Sequence, residues 1–170
     1  GAFYKKVMET SENTVTIDGL DNGRNYYFAV AALDKNGNPS DKAATENAVI
    51  PHVELKDGNY QITNVTSLET GIIDLSKPQT VTAAIFVQGE TEADQMEGLQ
   101  AKLEVKQPGN ENWTTYKASY INQQETANVF SGNFLPLKEG NYEYRFAFST
   151  DLGGNWVTSE TQGVSFTKGE

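Results

Sequence analysis

Trp113, Tyr116, Tyr120 and Trp156 are the side chains in this sequence best suited to holding a ligand. Sugar rings present apolar C–H faces that stack on exposed indole and phenol rings, while amides, carboxylates and guanidinium groups at the rim hydrogen-bond the hydroxyls. Arg145, at an outward position of an aromatic strand, supplies one such donor. Tyr116 and Tyr120 lie four residues apart and so share one face of an extended strand, and Trp156 follows a turn that lifts it towards a sheet edge. The competing reading makes Trp113 and Trp156 core anchors, the usual fate of large aromatics in small sandwiches.

Catalytic chemistry finds little support. His52 is the only histidine and sits beside Pro51, away from the regular strands, so a Ser-His-Asp triad lacks its base. Glycoside hydrolysis needs two carboxyl groups about 5 to 10 Å apart across a cleft. Glu90, Glu92, Asp94 and Glu97 instead fall in one polar loop, which reads as a solvated acidic turn. Calcium requires six to eight oxygens, which that loop or the series Asp34, Asn36, Asn38 and Asp41 supplies only in part. Neither has EF-hand spacing, because Gly37 falls between Asn36 and Asn38 and no glutamate closes the loop. No cofactor is expected, and no metal site is assigned. Without cysteine there is no disulfide, thiolate site or thiol nucleophile.

The elements that position these residues are strands. Strand formers abound, apolar residues make up 37% of the chain and aromatics 11%, and no sustained helical periodicity is present. In Asn141 to Trp156, Tyr142, Tyr144, Phe146 and Phe148 alternate with Glu143, Arg145, Ala147 and Ser149, so the aromatics form a core face before a hairpin at Asp151 to Asn155. Leu99, Ala101, Leu103 and Val105 likewise point inward, and Gln100, Lys102, Glu104 and Lys106 outward. Strands are expected at Asn59 to Val65, Thr80 to Gln88, Leu99 to Lys106, Trp113 to Ile121, Ala127 to Leu135, Gly140 to Ser149, Trp156 to Ser159 and Val164 to Thr167. About eight short amphipathic strands pack most naturally as an all-β, antiparallel, immunoglobulin-like sandwich. The net charge of -10 with only 13 scattered basic residues argues against nucleic acid as a partner. No membrane span is present in the sequence.

Ahead of this set, Thr14 to Ile17 alternates, a turn comes next at Asp21-Asn22-Gly23, and Tyr26 to Leu33 reads as a longer strand. Leu20 precedes Tyr26 by six residues, a spacing that suits a tyrosine corner, in which the phenol satisfies a backbone group at a bend. With Gly23, Phe28, Val30, Ala32, the Asp34 to Ser40 loop and the exit Ala48-Val49-Ile50-Pro51, this part resembles the C-terminal half of a fibronectin type III domain. The opening strands of such a domain are not found in the sequence. The half-domain is therefore expected to dock on the second segment of the chain, to swap with another copy, or to be poorly ordered. The seam lies at Ala48 to Leu55, dividing residues 1–52, a partial fibronectin-like segment, from residues 53–170, a sandwich module.

In the second segment, Gly89-Glu90-Thr91, Gly98-Leu99-Gln100-Ala101, Asn112-Trp113-Thr114-Thr115-Tyr116, Phe134-Leu135-Pro136 and Gly140 to Phe146 are similar to the β-sandwich accessory modules of amylopullulanases and related secreted bacterial α-amylase-type enzymes. The resemblance runs from Val81 to Glu160. It departs at the short Gln107 to Asn112 loop and at Asn122 to Thr126. It implies a noncatalytic module of a secreted enzyme acting on starch or pullulan, partnered by the adjoining domains and by α-glucan. The alternative is a structural spacer or adhesion module without a ligand, belonging to a cell-surface protein or another exported hydrolase.

Overall fold

The computed structural model describes residues 4–169. Among them there is no helix, and the strands are β1 (Ala29–Val30), β2 (Ala43–Ala44), β3 (Tyr60–Thr63), β4 (Gly71–Ile73), β5 (Gln79–Val87), β6 (Gln100–Lys106), β7 (Thr114–Gln124), β8 (Ala127–Phe134), β9 (Gly140–Ser149), β10 (Val157–Thr158) and β11 (Gln162–Lys168). The chain is all-β, and its strands β3 to β11 form a sandwich.

Both layers come from one curled sheet of order β3-β5-β8-β7-β6-β9-β11-β4, with β10 added to β9. Strand β7 turns the corner: Thr114 to Lys117 pair with β6, whereas Ala118 to Gln124 pair with β8, with a register shift between Tyr120 and Asn122. Aromatic rings fill the space between the layers. Phe130 on β8 meets Phe148 on β9 edge-on at 5.6 Å, and Phe134 meets Tyr142 at 5.9 Å. Tyr142, Tyr144, Phe146 and Phe148 are all fully buried, as their alternation requires. Gly132 admits close packing here, since a Cβ at that position would lie 2.8 Å from the Leu103 Cβ.

The chain crosses between layers after β3, and Tyr144 secures the crossing. Its hydroxyl donates to the Thr66 carbonyl at 2.8 Å and accepts from the Leu68 amide at 2.9 Å, satisfying backbone groups that have left one sheet before β4 joins the other. Strand β4 then runs parallel to β11.

The eight strands expected in the second segment are present, with no end displaced by more than three residues and Gly140 to Ser149 matched at both ends, and β4 is additional. The first fifty residues depart further. Thr14 to Ile17 forms no strand, and Tyr26 to Leu33 is regular only at Ala29–Val30, continued by single bridges from Tyr26 to Val49 and from Leu33 to Pro39. The physical reason is the lack of a packed face. No residue from Tyr4 to Ile50 is buried, so alternation there has no opposing layer to hold it in register. The expected bend at Tyr26 does form, its hydroxyl accepting the Asp21 amide at 2.9 Å.

Candidate functional site

The outer face of β6 and β9 carries a line of charges. Antiparallel register places Glu104 opposite Arg145 and Lys106 opposite Glu143, so opposite charges stand directly across from one another. Arg145 Nε donates to Glu104 Oε2 and Lys102 Nζ to Glu104 Oε1, each at 2.8 Å, and Lys106 lies 3.3 Å from Glu143. Although it points outward, Glu104 is covered by its two cations, with only 9% of its side chain exposed. Burial pushes its carboxyl pKa up, but the hydrogen bonds and charges of Lys102 and Arg145 outweigh this and hold it below the ordinary value.

A tryptophan stands at each end of the line. Trp113, immediately before β7, has the Arg145 guanidinium 4.3 Å and the Lys106 ammonium 4.8 Å from its ring centre. Trp156, immediately before β10, has Lys102 at 4.3 Å. Both indoles are half-buried, and both meet cations within the range of cation–π attraction. Residues 102 to 106 of β6 separate the two clusters by about 14 Å at ~3.4 Å per residue.

The loop before Trp156 is built from its own side chains. Asp151 accepts the Asn155 amide at 2.9 Å, the Ser149 hydroxyl at 2.7 Å and the Asn155 side-chain amide at 2.7 Å. These bonds, the Asn155 backbone amide first, hold its carboxyl far below the usual carboxylate range. The Trp156 Nε1 donates to the Gly153 carbonyl at 3.0 Å. Gly153 has φ of +89°, and a Cβ there would lie 3.3 Å from the indole, so space and backbone both favour glycine.

Of the five sequence candidates, Trp113, Arg145 and Trp156 thus lie along the outer face. Tyr116 and Tyr120 turn the other way, half-buried against the core, with Tyr116 6.2 Å from Phe134 and Tyr120 5.9 Å from Phe130. Lys102, Glu104 and Lys106 complete the face, although the sequence does not mark them as site residues. Their outward alternation is a signal the sequence carries; the register that brings Arg145 to Glu104 is not.

The acidic groups find local uses. Asp34 accepts from the Asn36 and Asn38 amides and the Asn38 side chain, while Glu92 accepts the Gly89 amide and Glu97 faces Arg24. No three His, Asp or Glu residues converge in metal-binding geometry among those described. His52 is exposed, its Nδ1 3.0 Å from the Ile50 carbonyl. Two shallow grooves, of about 260 and 210 Å³, lie beside β3 and beside the Asp151 loop, and none of Lys102, Glu104, Lys106, Glu143 or Arg145 lines either.

No family model matches the chain. It is similar to a stretch of an amylopullulanase from Thermoanaerobacter thermohydrosulfuricus, 26% identical over 179 aligned residues that cover 92% of this chain and 12% of the relative. A second amylopullulanase, from Thermoanaerobacterium thermosulfurigenes, is 24% identical over 184 residues, covering 95% of this chain and 10% of the relative. The chain therefore spans about a tenth of the curated relatives it matches. Among solved structures, a PapD-like domain of human CEP192 aligns with 72% of this chain and 93% of its own, at 14% identity and a TM-score of 0.31.

Proposed function

We propose that this chain is a noncatalytic accessory module of a secreted, multimodular polysaccharide-degrading enzyme, and that the outer face of β6 and β9 contacts α-glucan. Similarity along nearly the whole chain to a small part of two amylopullulanases supports the accessory role. The observation that carries the contact is the pair of half-exposed tryptophans bracketing a line of hydrogen-bonding side chains on an open sheet face. An extended glucan lying along β6 would stack on Trp113 and Trp156 while Lys102, Glu104 and Arg145 meet its hydroxyls. The module does its work by position, keeping the catalytic domain at high effective concentration near its polymer.

Native electrophoresis through gels containing starch or pullulan tests the reading. Retardation of the wild type, reduced in Trp113→Ala and Trp156→Ala, is expected. Unchanged mobility across these glucans, with no change in tryptophan quenching on adding malto-oligosaccharide, refutes the glucan contact and leaves the spacer. One observation favours that second reading: Lys102, Lys106 and Arg145 already sit over the indole faces, and a stacked sugar must share or displace them.

A further inference from the structure

We propose that Gly23 and Gly98 form a backbone latch that fixes the N-terminal segment on the sandwich, so that the two move as one arm. A Cβ at Gly23 would lie 2.5 Å from the Gly98 Cα, and one at Gly98 would lie 2.8 Å from the Gly23 Cα. No side chain can yield in such a contact, because main chain meets main chain. Both residues also have positive φ, +72° and +75°, which glycine adopts without strain. The approach thus requires glycine twice over on each side.

Polar contacts flank the latch. Asn22 Nδ2 lies 3.4 Å from Glu90 Oε2, and Arg24 pairs with Asp21 at 2.9 Å while its other terminal nitrogen lies 3.9 Å from Glu97. The exposed ion pairs add little strength, but they orient the turn.

The loop that receives the turn is itself held from behind. Thr91 is fully buried, accepting the Val87 amide at 2.9 Å and donating to the Thr126 carbonyl at 2.7 Å. Asn128, also fully buried, accepts the Met96 amide at 2.8 Å and donates to the Asp94 carbonyl at 3.0 Å. The acidic loop is therefore a fixed platform.

The seam is tied down as well. The Gly23 amide donates to the Pro51 carbonyl at 2.9 Å, the Thr150 hydroxyl donates to the Val53 carbonyl, and Val53 and Leu55 pack against the core. A flexible linker would leave such groups to water. These contacts hold the segments together whether or not the outer face binds glucan.

The chain lacks cysteine, so Lys35→Cys and Lys138→Cys allow a spin-label pair to span the two segments in the full chain. Pulsed dipolar spectroscopy should give one narrow distance distribution in the otherwise wild-type chain, and a broad one in Gly98→Ala and in Gly23→Ala. Gly89→Ala is the control: it lies in the same loop at φ +81° with nothing within 4 Å of its added Cβ, so it introduces backbone strain without a clash and should stay narrow. Should Gly98→Ala fail to fold, Gly23→Ala decides, since it lies outside the core. A broad distribution in the wild type, an unchanged narrow distribution in every latch variant that folds, or equal broadening in Gly89→Ala overturns the proposal.

Discussion

Replacing Glu104 by glutamine tests whether one carboxylate organises the outer face. The substitution preserves shape and one acceptor oxygen but removes the charge that holds Lys102 and Arg145. Charge-assisted hydrogen bonds contribute about 1.5–3 kcal/mol each when buried. The partners are 24% and 27% exposed, so water recovers part of that loss for each freed cation. The expected cost of Glu104→Gln is therefore about 2 kcal/mol, or about 4–8 °C in melting temperature for a chain of this size. Chemical denaturation and calorimetry at pH 7 read it directly.

The pH dependence separates this mechanism from simple mispacking. Because the folded carboxyl titrates below its unfolded value of about 4.3, its contribution is complete above that pH. It is lost as pH falls through the lower folded pKa, and the stability gap between wild type and Glu104→Gln should close over that interval. The freed cations should also alter the fluorescence of both Trp113 and Trp156, though neither indole touches the mutated atom. A gap that persists unchanged to low pH, or a variant as stable as wild type at pH 7, refutes the reasoning.

Polar groups elsewhere give two further expected outcomes. Tyr144→Phe strips the crossing segment of its hydroxyl partner, leaving the Leu68 amide and Thr66 carbonyl short of a bond, and should cost about 1–3 kcal/mol in urea unfolding with little change in the native fold. Asp151→Ala should loosen the loop that seats Trp156; acrylamide quenching at pH 7 should rise for Trp156 in a Trp113→Phe background, whereas the wild-type loop should stay ordered until pH falls well below the usual carboxylate range.

The sandwich is legible because burial on one face leaves a two-residue rhythm in the sequence. Tyr142 to Phe148 and Leu103 to Val105 carry it, and the structure buries those aromatics and aliphatics. Strand β4 escapes a sequence reading because three residues, Gly71–Ile73, are too few to display a rhythm, and Ile72 is 76% exposed. Thr14 to Ile17 shows the converse error. Alternation records the capacity to line a layer, and without an opposing layer the segment forms no strand.

The candidate face is legible residue by residue but not as an arrangement. Arg145 reads as outward from its own strand and Glu104 from its own, yet nothing in either strand states that they stand opposite each other; register depends on how the two strands meet. Tyr116 and Tyr120 part company with Trp113 by alternation along the strand itself. Three residues separate Trp113 from Tyr116, so Tyr116 already faces the core while β7 pairs with β6, and Tyr120 stays on the core side after β7 crosses to β8. Spacing along one strand thus orders side chains on that strand, whereas a binding face is assembled across strands. Here the assembly runs through Glu104, whose two cations reach one tryptophan each, so the geometry of both indoles depends on a residue that is neither aromatic nor exposed.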